Sequence, residues 1–280
     1  MEIEFDKVTF VINKNTPLEK TILNNVSFNI SGPGIFSIIG PSNSGKTAVG
    51  DLINALNTPT KGKVRIGKYI NKGKRIKDVK KLRFETGYVY KNPYDMFFNK
   101  TVLDELSFAL KCFKYKTDKI NERVNNALKL VDLNESYLEL NPLELKLIDA
   151  KKLALACILI YNPSIIILDE YTNGLSNSEK NDLARLLRML KNKYRKTIIL
   201  LSKDTSFCYQ ITDYVYIFNL TRLVCHGKKD ILHDEELLNS LNLEVPKIVS
   251  FVNECNKKGH EINYYSNILD LIKWVYRDVF

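Results

Sequence analysis

Hydrophobic and polar residues alternate along much of the first thirty residues, which predicts two β-strands. Val8, Phe10 and Ile12 alternate with their neighbours, and the apolar residues of 23–30 follow a similar period after a polar loop. This spacing places one face of each strand against a core, so the two segments predict an antiparallel strand pair at the start of the chain. A further strand pair, exposed to solvent, is predicted over 61–70.

Four short apolar runs lack this alternation and predict strands that are buried on both faces. They cover 35–39, 86–90, 165–168 and 198–201. Apolar residues at helical spacing follow Thr47 and occupy much of 92–148, which predicts a helix after the first run and a helical insertion before the third. Strands that alternate with helices in this way indicate an α/β core with parallel strands.

Composition and charge narrow the class of protein. The 280 residues are 45% hydrophobic and 26% charged, which is typical of a globular chain and excludes disordered or collagen-like classes. The formal net charge of +10 makes nucleic acid, an acidic membrane surface or phosphates possible partners. The longest apolar stretch, 153–161, is shorter than the ~18–20 residues of a membrane span. Five scattered cysteines and an acidic start predict a reducing cytosolic compartment.

A glycine-rich segment lies between the first buried run and its helix, and it matches the pattern G-x-x-x-x-G-K-[ST]. Its residues are Gly40, Pro41, Ser42, Asn43, Ser44, Gly45, Lys46 and Thr47. Glycines at these positions let backbone N–H groups surround an anion, and the following helix adds its positive end. We interpret the segment as a phosphate-binding loop, in which Lys46 contacts the outer phosphates and Thr47 offers its hydroxyl to Mg²⁺.

Two acidic residues, Asp169 and Glu170, follow the apolar run 165–168. In phosphate-loop enzymes an acid at such a strand end holds Mg²⁺, and a second acid polarises the attacking water. Asp169 is therefore the candidate metal ligand and Glu170 the candidate catalytic base. Two acids after a strand are more often a solvated turn, so this hypothesis depends on the loop at 40–47.

Together these motifs resemble those of ATP-binding cassette (ABC) proteins. The segment 169–176, D-E-Y-T-N-G-L-S, is similar to the D-E-P-T-A-G-L-D stretch of that family. Within the family, the chain resembles the ATP-binding subunits of energy-coupling-factor importers of vitamins and metal ions. Three segments carry this narrower resemblance: 88–102, 141–145 and 243–246.

The resemblance implies a phosphate-loop NTPase fold with an antiparallel β-subdomain and a helical subdomain at about 92–150. It implies a cassette over 1–242 and a short helical C-terminal extension over 243–280. The implied cofactors are ATP and Mg²⁺. In this family two cassettes lie head to tail, with each ATP between the phosphate loop of one and the signature sequence of the other.

An integral membrane subunit is the second implied partner, which places the chain at the cytoplasmic face of the cell membrane as a peripheral subunit. In the family the helical subdomain receives this partner, so 97–116 is the expected docking surface. Most of its aromatic residues are nevertheless expected to form the core of the subdomain. The aromatic residues considered are four phenylalanines, Phe97, Phe98, Phe108 and Phe113.

Several positions depart from the family pattern. The signature L-S-G-G-Q is replaced over 145–149 by L-K-L-I-D, which lacks both glycines and adds an anion that repels phosphate. Lys91 stands where a Gln that senses Mg²⁺ and water is expected, and Lys203 stands at the switch histidine. Ile12 replaces an adenine-stacking aromatic residue, with Phe10 as the alternative.

The chain thus keeps residues for phosphate, metal and base, and lacks the signature, sensor and switch residues. Because removing one positioned transition-state group costs ~10²–10³ in rate, we hypothesise a nucleotide-binding subunit with weak or absent hydrolysis, paired with a more complete cassette. A nucleic-acid-associated ABC ATPase is one alternative, supported by the basic run 72–77 but disfavoured by the single cassette without long heptad repeats. A structural subunit is the other, either a nucleotide-binding pseudo-ATPase or a subunit that binds no nucleotide, and the intact loop disfavours only the latter.

Overall fold

Two β-sheets with helices packed against them make up the fold, and the computed structural model describes residues 1–73 and 76–278. The strands in this part of the chain are β1 (Ile3–Ile12), β2 (Lys20–Ile30), β3 (Gly34–Ile39), β4 (Lys61–Ile66), β5 (Tyr69–Asn71), β6 (Thr86–Val89), β7 (Ile165–Asp169), β8 (Thr197–Ser202), β9 (Tyr214–Asn219) and β10 (Arg222–Lys228). The helices are α1 (Lys46–Ile53), α2 (Val79–Glu85), α3 (Val102–Cys112), α4 (Thr117–Leu130), α5 (Leu147–Leu159), α6 (Asn177–Asn192), α7 (Thr205–Ile211), α8 (Glu235–Ser240), α9 (Lys247–Lys257) and α10 (Ile268–Asp278).

The smaller sheet is antiparallel, with the strand order β2-β1-β4-β5. It confirms the predicted pairing of the first two strands. The predicted pair over 61–70 is also present, as β4 and β5, but its predicted exposure is wrong because Val64, Ile66 and Tyr69 are buried. These side chains share the core formed by Phe5 and Phe28, whose rings stack at 4.5 Å.

The larger sheet has the strand order β10-β9-β3-β8-β7-β6, in which only β10 among these strands runs antiparallel to its neighbour. It confirms the α/β class and the four predicted buried runs. Ile39 pairs with Ser202 and Asp169 pairs with Leu201, so β3, β7 and β8 end almost level with one another. The segments that follow these three strands therefore emerge side by side at one edge of the sheet.

The predicted helical insertion is confirmed by α3 and α4, and α5 leads from it back to the sheet. Apolar residues of the three helices share one core, to which Leu106, Val124 and Leu153 belong. Two residues of the basic run 72–77, Lys74 and Arg75, lie outside the described residues. Within the described ranges no helix has the length and apolar character needed to cross a membrane.

Helix α9 packs the C-terminal segment against the rest of the chain. Val249 of this helix is fully buried in a cluster that contains Ile39 of β3 and Tyr209 of α7. Phe251, two residues further on, is half exposed. The C-terminal segment therefore packs on its own chain through one face of α9.

Replacing Val249 with Ala is expected to lower the free energy of unfolding by about 2 kcal/mol, because two buried methyl groups are lost and a cavity remains. Guanidinium denaturation followed by circular dichroism measures this change. Phe251→Ala is the matched control on the same helix, with an expected change below about 1 kcal/mol. Equal destabilisation by the two substitutions would contradict the packing described for α9.

Candidate functional site

The glycine-rich segment 40–47 forms a tight turn between β3 and α1. A β-carbon on Gly40 would overlap the carbonyl oxygen of Phe218 and approach Ser44 Oγ to 2.5 Å. Gly45 has a φ of +100°, and a β-carbon there would lie 2.7 Å from the carbonyl oxygen of Ile22. Both glycines are therefore required by the backbone path of this turn.

The turn places the start of α1 at the carboxyl edge of the larger sheet. Gly45 supplies no side-chain cap and the first turn of α1 contains no acidic residue, so its backbone N–H groups are available to an anion. Within the described part of the chain, the buried Ser44 Oγ also has no hydrogen-bond partner. These donors all lie on one short segment, which is the arrangement that binds phosphate groups.

Lys46 is buried among oxygen atoms. Its Nζ donates hydrogen bonds to the carbonyl oxygens of Gly40 and Pro41, at 2.6 and 2.8 Å, and lies 3.7 Å from Glu170 Oε1. Burial lowers the pKa of Lys46, whereas the nearby carboxylates of Glu170 and Asp169 act in the opposite direction. A cation is thus held beside the loop by weak backbone acceptors that a phosphate oxygen can replace.

Asp169 ends β7 next to the start of α1. Its Oδ2 accepts hydrogen bonds from Thr47 Oγ1 at 2.8 Å and from the hydroxyl of Tyr88 at 3.2 Å. Its Oδ1 is buried and has no hydrogen-bond partner among the described residues. Burial raises the pKa of Asp169, and the two donors partly offset this effect. One carboxylate oxygen therefore remains free to bind a cation or its hydration shell.

Glu170 lies between the phosphate loop and the end of β8. Its backbone has a φ of +45°, and its N–H donates to the carbonyl oxygen of Leu201 at 2.8 Å. Its Oε1 is the atom near Lys46, and its Oε2 accepts a hydrogen bond from the backbone N–H of Lys203 at 3.4 Å. Lys46 and the backbone N–H of Lys203 thus hold the two carboxylate oxygens at the carboxyl edge of the larger sheet, beside the phosphate loop.

These groups fit a nucleoside triphosphate with Mg²⁺. The first turn of α1 and Lys46 supply donors for phosphate oxygens, and Thr47 with Asp169 supplies the hydroxyl and carboxylate oxygens that Mg²⁺ prefers. The unpartnered oxygen atoms of Ser44 and Asp169 are explained by such a ligand. The structure therefore brings together every residue that the sequence suggested for the phosphates, the metal and the base.

The segment at the signature position has a different character. Residues 145–149 lead into α5, where Leu147 is exposed and Asp149 lies in the first helical turn. Burial raises the pKa of Tyr137, and the nearby carboxylate of Asp149, which accepts a hydrogen bond from the Tyr137 hydroxyl, acts in the same direction. The N-terminus of α5 thus carries its own anion, in contrast to the N-terminus of α1.

Four other residues singled out from the sequence are placed as follows. Lys91 follows β6 with an exposed side chain, and the exposed Lys203 follows β8 directly beside Glu170. Phe10, the alternative stacking residue for adenine, is buried in the core between the sheets, so this interpretation is wrong. Ile12, at the end of β1, is partly exposed.

Lys151 was missed by the sequence reasoning. It is only 3% exposed, and its Nζ donates to the carbonyl oxygens of Tyr171 and Asn173, both at 2.6 Å. Burial lowers the pKa of Lys151 to about 8, and the negative charge of Glu170 acts in the opposite direction. The available signal was its position four residues before the buried Leu155, on the face of α5 that packs inward.

Comparison with known families matches the family described as ABC transporter over residues 23–173. The energy-coupling factor transporter ATP-binding protein EcfA3 of Oenococcus oeni is 33% identical over 265 residues, which cover 94% of this chain and 92% of that protein. The corresponding EcfA2 protein of Streptococcus agalactiae is 32% identical over 261 residues, covering 92% of this chain and 93% of that protein.

Solved structures share the fold. The MJ0796 cassette, a dimer in a post-hydrolysis state with ADP and Pi, has a TM-score of 0.75 at 24% identity and covers 81% of this chain and 98% of that chain. CbiO1 of Clostridium perfringens, part of the ABC transporter complex CbiONQ, has a TM-score of 0.72 at 24% identity, with coverages of 90% and 98%. The predicted cassette fold and the predicted resemblance are both confirmed: this chain belongs to the ABC transporter family and is similar within it to energy-coupling factor transporter ATP-binding proteins.

Proposed function

We propose that this chain is an ATP-binding subunit of an energy-coupling-factor-type importer for vitamins or metal ions, at the cytoplasmic face of the membrane. The observation that carries the proposal is the convergence of Lys46, Thr47, Asp169 and Glu170 on one loop at the carboxyl edge of the sheet. The similar proteins of Oenococcus oeni and Streptococcus agalactiae are named as transporter ATP-binding proteins, which supports the transport role.

Each of these residues has a task in MgATP binding and turnover. Backbone N–H groups of 40–47 bind the phosphates, and Lys46 exchanges its backbone acceptors for phosphate oxygens. Thr47 and Asp169 would hold Mg²⁺, which when bound would neutralise part of the negative charge of the phosphates. Glu170 accepts a proton from the water that attacks the terminal phosphate. Its anchoring beside Lys46 orients the carboxylate for this step.

We infer further that the chain is the degenerate half of a cassette heterodimer. In a head-to-tail pair, the start of α5 faces the ATP bound by the second cassette. Leu147 replaces a glycine there, and Asp149 brings a negative charge towards the phosphates. The ATP held by the 40–47 loop of this chain would instead be closed over by the signature of its partner.

The membrane subunit would dock on the helical subdomain. Phe98 and Phe108 are exposed and pack edge to face with ring centroids 4.6 Å apart. Of the four phenylalanines in 97–116, only Phe97 is buried, so the expectation that most of them form the core is wrong. An exposed aromatic pair formed by α3 and the loop before it is a suitable contact for an apolar segment of a membrane protein.

Substitution of Lys46 by Ala tests the nucleotide site. It is expected to weaken MgATP binding about 10- to 150-fold, because a hydrogen bond to a charged group contributes ~1.5–3 kcal/mol. Titration calorimetry on the full chain measures the dissociation constant. Lys191→Ala is the matched control, because Lys191 pairs with Asp213 near the amino ends of the parallel strands, away from the loop. The affinity of the Lys191→Ala chain for MgATP should change less than about twofold. Unchanged affinity in Lys46→Ala would remove the basis of the proposal.

Restoring the signature tests the degenerate half. In a Glu170→Gln background, which keeps bound ATP intact, the chain with its own 145–149 is expected to remain monomeric with MgATP. The changes Lys146→Ser, Leu147→Gly, Ile148→Gly and Asp149→Gln should produce an ATP-dependent dimer, because backbone amides can then approach the phosphates and the anion is removed.

Sedimentation velocity with and without MgATP measures this association. The same restored chain with Lys46→Ala serves as the control and should stay monomeric. Because each introduced glycine costs ~1 kcal/mol in a helix, melting temperatures are compared in parallel. Dimerisation of the unrestored Glu170→Gln chain to the same extent would show that 145–149 is not degenerate.

A further inference from the structure

Helix α5 and the loop after Glu170 are fastened to each other in both directions. Lys151 Nζ on α5 donates to the carbonyl oxygens of Tyr171 and Asn173, at 2.6 Å each. The hydroxyl of Tyr171 donates back to the carbonyl oxygen of Lys151 at 2.9 Å. The ammonium also lies 5.4 Å from the centre of the Tyr171 ring. We call this set of contacts the Lys151 clasp.

The Lys151 clasp contains a buried ammonium group, and removing a charge from water is unfavourable. Lys151 and Tyr171 are both buried, and an ammonium removed from water must be compensated by acceptors or by an opposite charge. The two carbonyl oxygens supply acceptors, and Glu170 supplies a negative charge nearby. A methionine or leucine would fill the same space without this cost, so the cation has a task beyond packing.

The loop that the clasp holds begins with an unfavourable backbone conformation. Glu170 adopts a φ of +45°, a region that costs a residue with a side chain roughly 1–3 kcal/mol and persists only when its surroundings enforce it. Its N–H is fixed to Leu201, and its carbonyl oxygen accepts from Asn173 at 3.2 Å. Lys151 binds the carbonyl groups of Tyr171 and Asn173, which include the residue directly after Glu170.

We propose that Lys151 is a positioning residue, which acts through the 171–173 loop to keep the backbone of Glu170 in its left-handed conformation and so aims the carboxylate at the phosphate loop. The inference rests on the proposed function, in which Glu170 is the base. It adds that α5, whose first turn lies at the signature position, and the base-bearing loop move as one unit.

The test compares Lys151→Met with Lys152→Met in the full chain. Lys152 is the next residue on α5, and its Nζ contacts Asp132 in a different loop. Lys152→Met therefore removes one positive charge from the same part of the helix without affecting the 171–173 loop. Hydrogen exchange followed by NMR reads the amides of Asn173 and Leu175, which are hydrogen-bonded within the loop. We expect exchange at least about 10-fold faster in Lys151→Met and unchanged in Lys152→Met.

A second readout separates positioning of Glu170 from stabilisation of the loop alone. The amide of Lys203 donates to Glu170 Oε2, so its proton chemical shift reports the place of the carboxylate. In Lys151→Met this resonance should move towards its value in Glu170→Ala. It should return in Lys151→Arg, which keeps a charged donor for the two carbonyl oxygens.

The outcomes decide the proposal independently of the transport role. Faster loop exchange with an unmoved Lys203 amide would overturn positioning of the base, and unchanged loop exchange would overturn the clasp itself. Neither readout requires nucleotide or turnover, so failure here leaves the Lys46→Ala result intact. Conversely, unchanged MgATP affinity in Lys46→Ala would remove the proposed function while the clasp measurements still stand.

Discussion

Burial of charge at the carboxyl edge of the parallel sheet is the constraint on which the rest of the structure depends. Lys46, Asp169 and Glu170 are each at most 8% exposed, and none of them is stable there alone. Mutual attraction, the hydroxyls of Thr47 and Tyr88 and the backbone oxygens of the loop offset the cost of desolvation. The level strand ends and the tight glycine turn are the means by which the fold brings these groups within reach of one another.

The start of α1 and the start of α5 differ in how much negative charge they carry. The first turn of α1 has neither a side-chain cap nor an acidic residue, so its positive end is left to an external anion. The first turn of α5 contains Asp149, which neutralises that end and is itself held by Tyr137. The two helix starts thus differ in the charge that they present to a phosphate, and the difference lies in a few side chains.

Local sequence was sufficient for the sheet core and for the residues of the phosphate site, because buried parallel strands and glycine turns leave strong patterns over a few residues. It was insufficient wherever exposure depends on partners that are distant in sequence. The buried Val64 and Phe10 and the exposed Phe98 and Phe108 are such cases. Lys151 belongs to the same class, since nothing beside it in the sequence indicates that its acceptors lie twenty residues further on.

The loss of the signature and the retention of the base are compatible only if they affect different nucleotides. In the proposed head-to-tail arrangement, the start of α5 would act on the ATP of the second cassette, whereas Glu170 would act on the ATP of its own loop. The Lys151 clasp nevertheless joins these two regions through buried hydrogen bonds. A signature segment that binds no phosphate can therefore still matter to hydrolysis, because displacement of α5 by the partner surface would be carried to Glu170. On the proposed arrangement, the start of α5 would pass the position of the partner surface to Glu170 without binding phosphate itself.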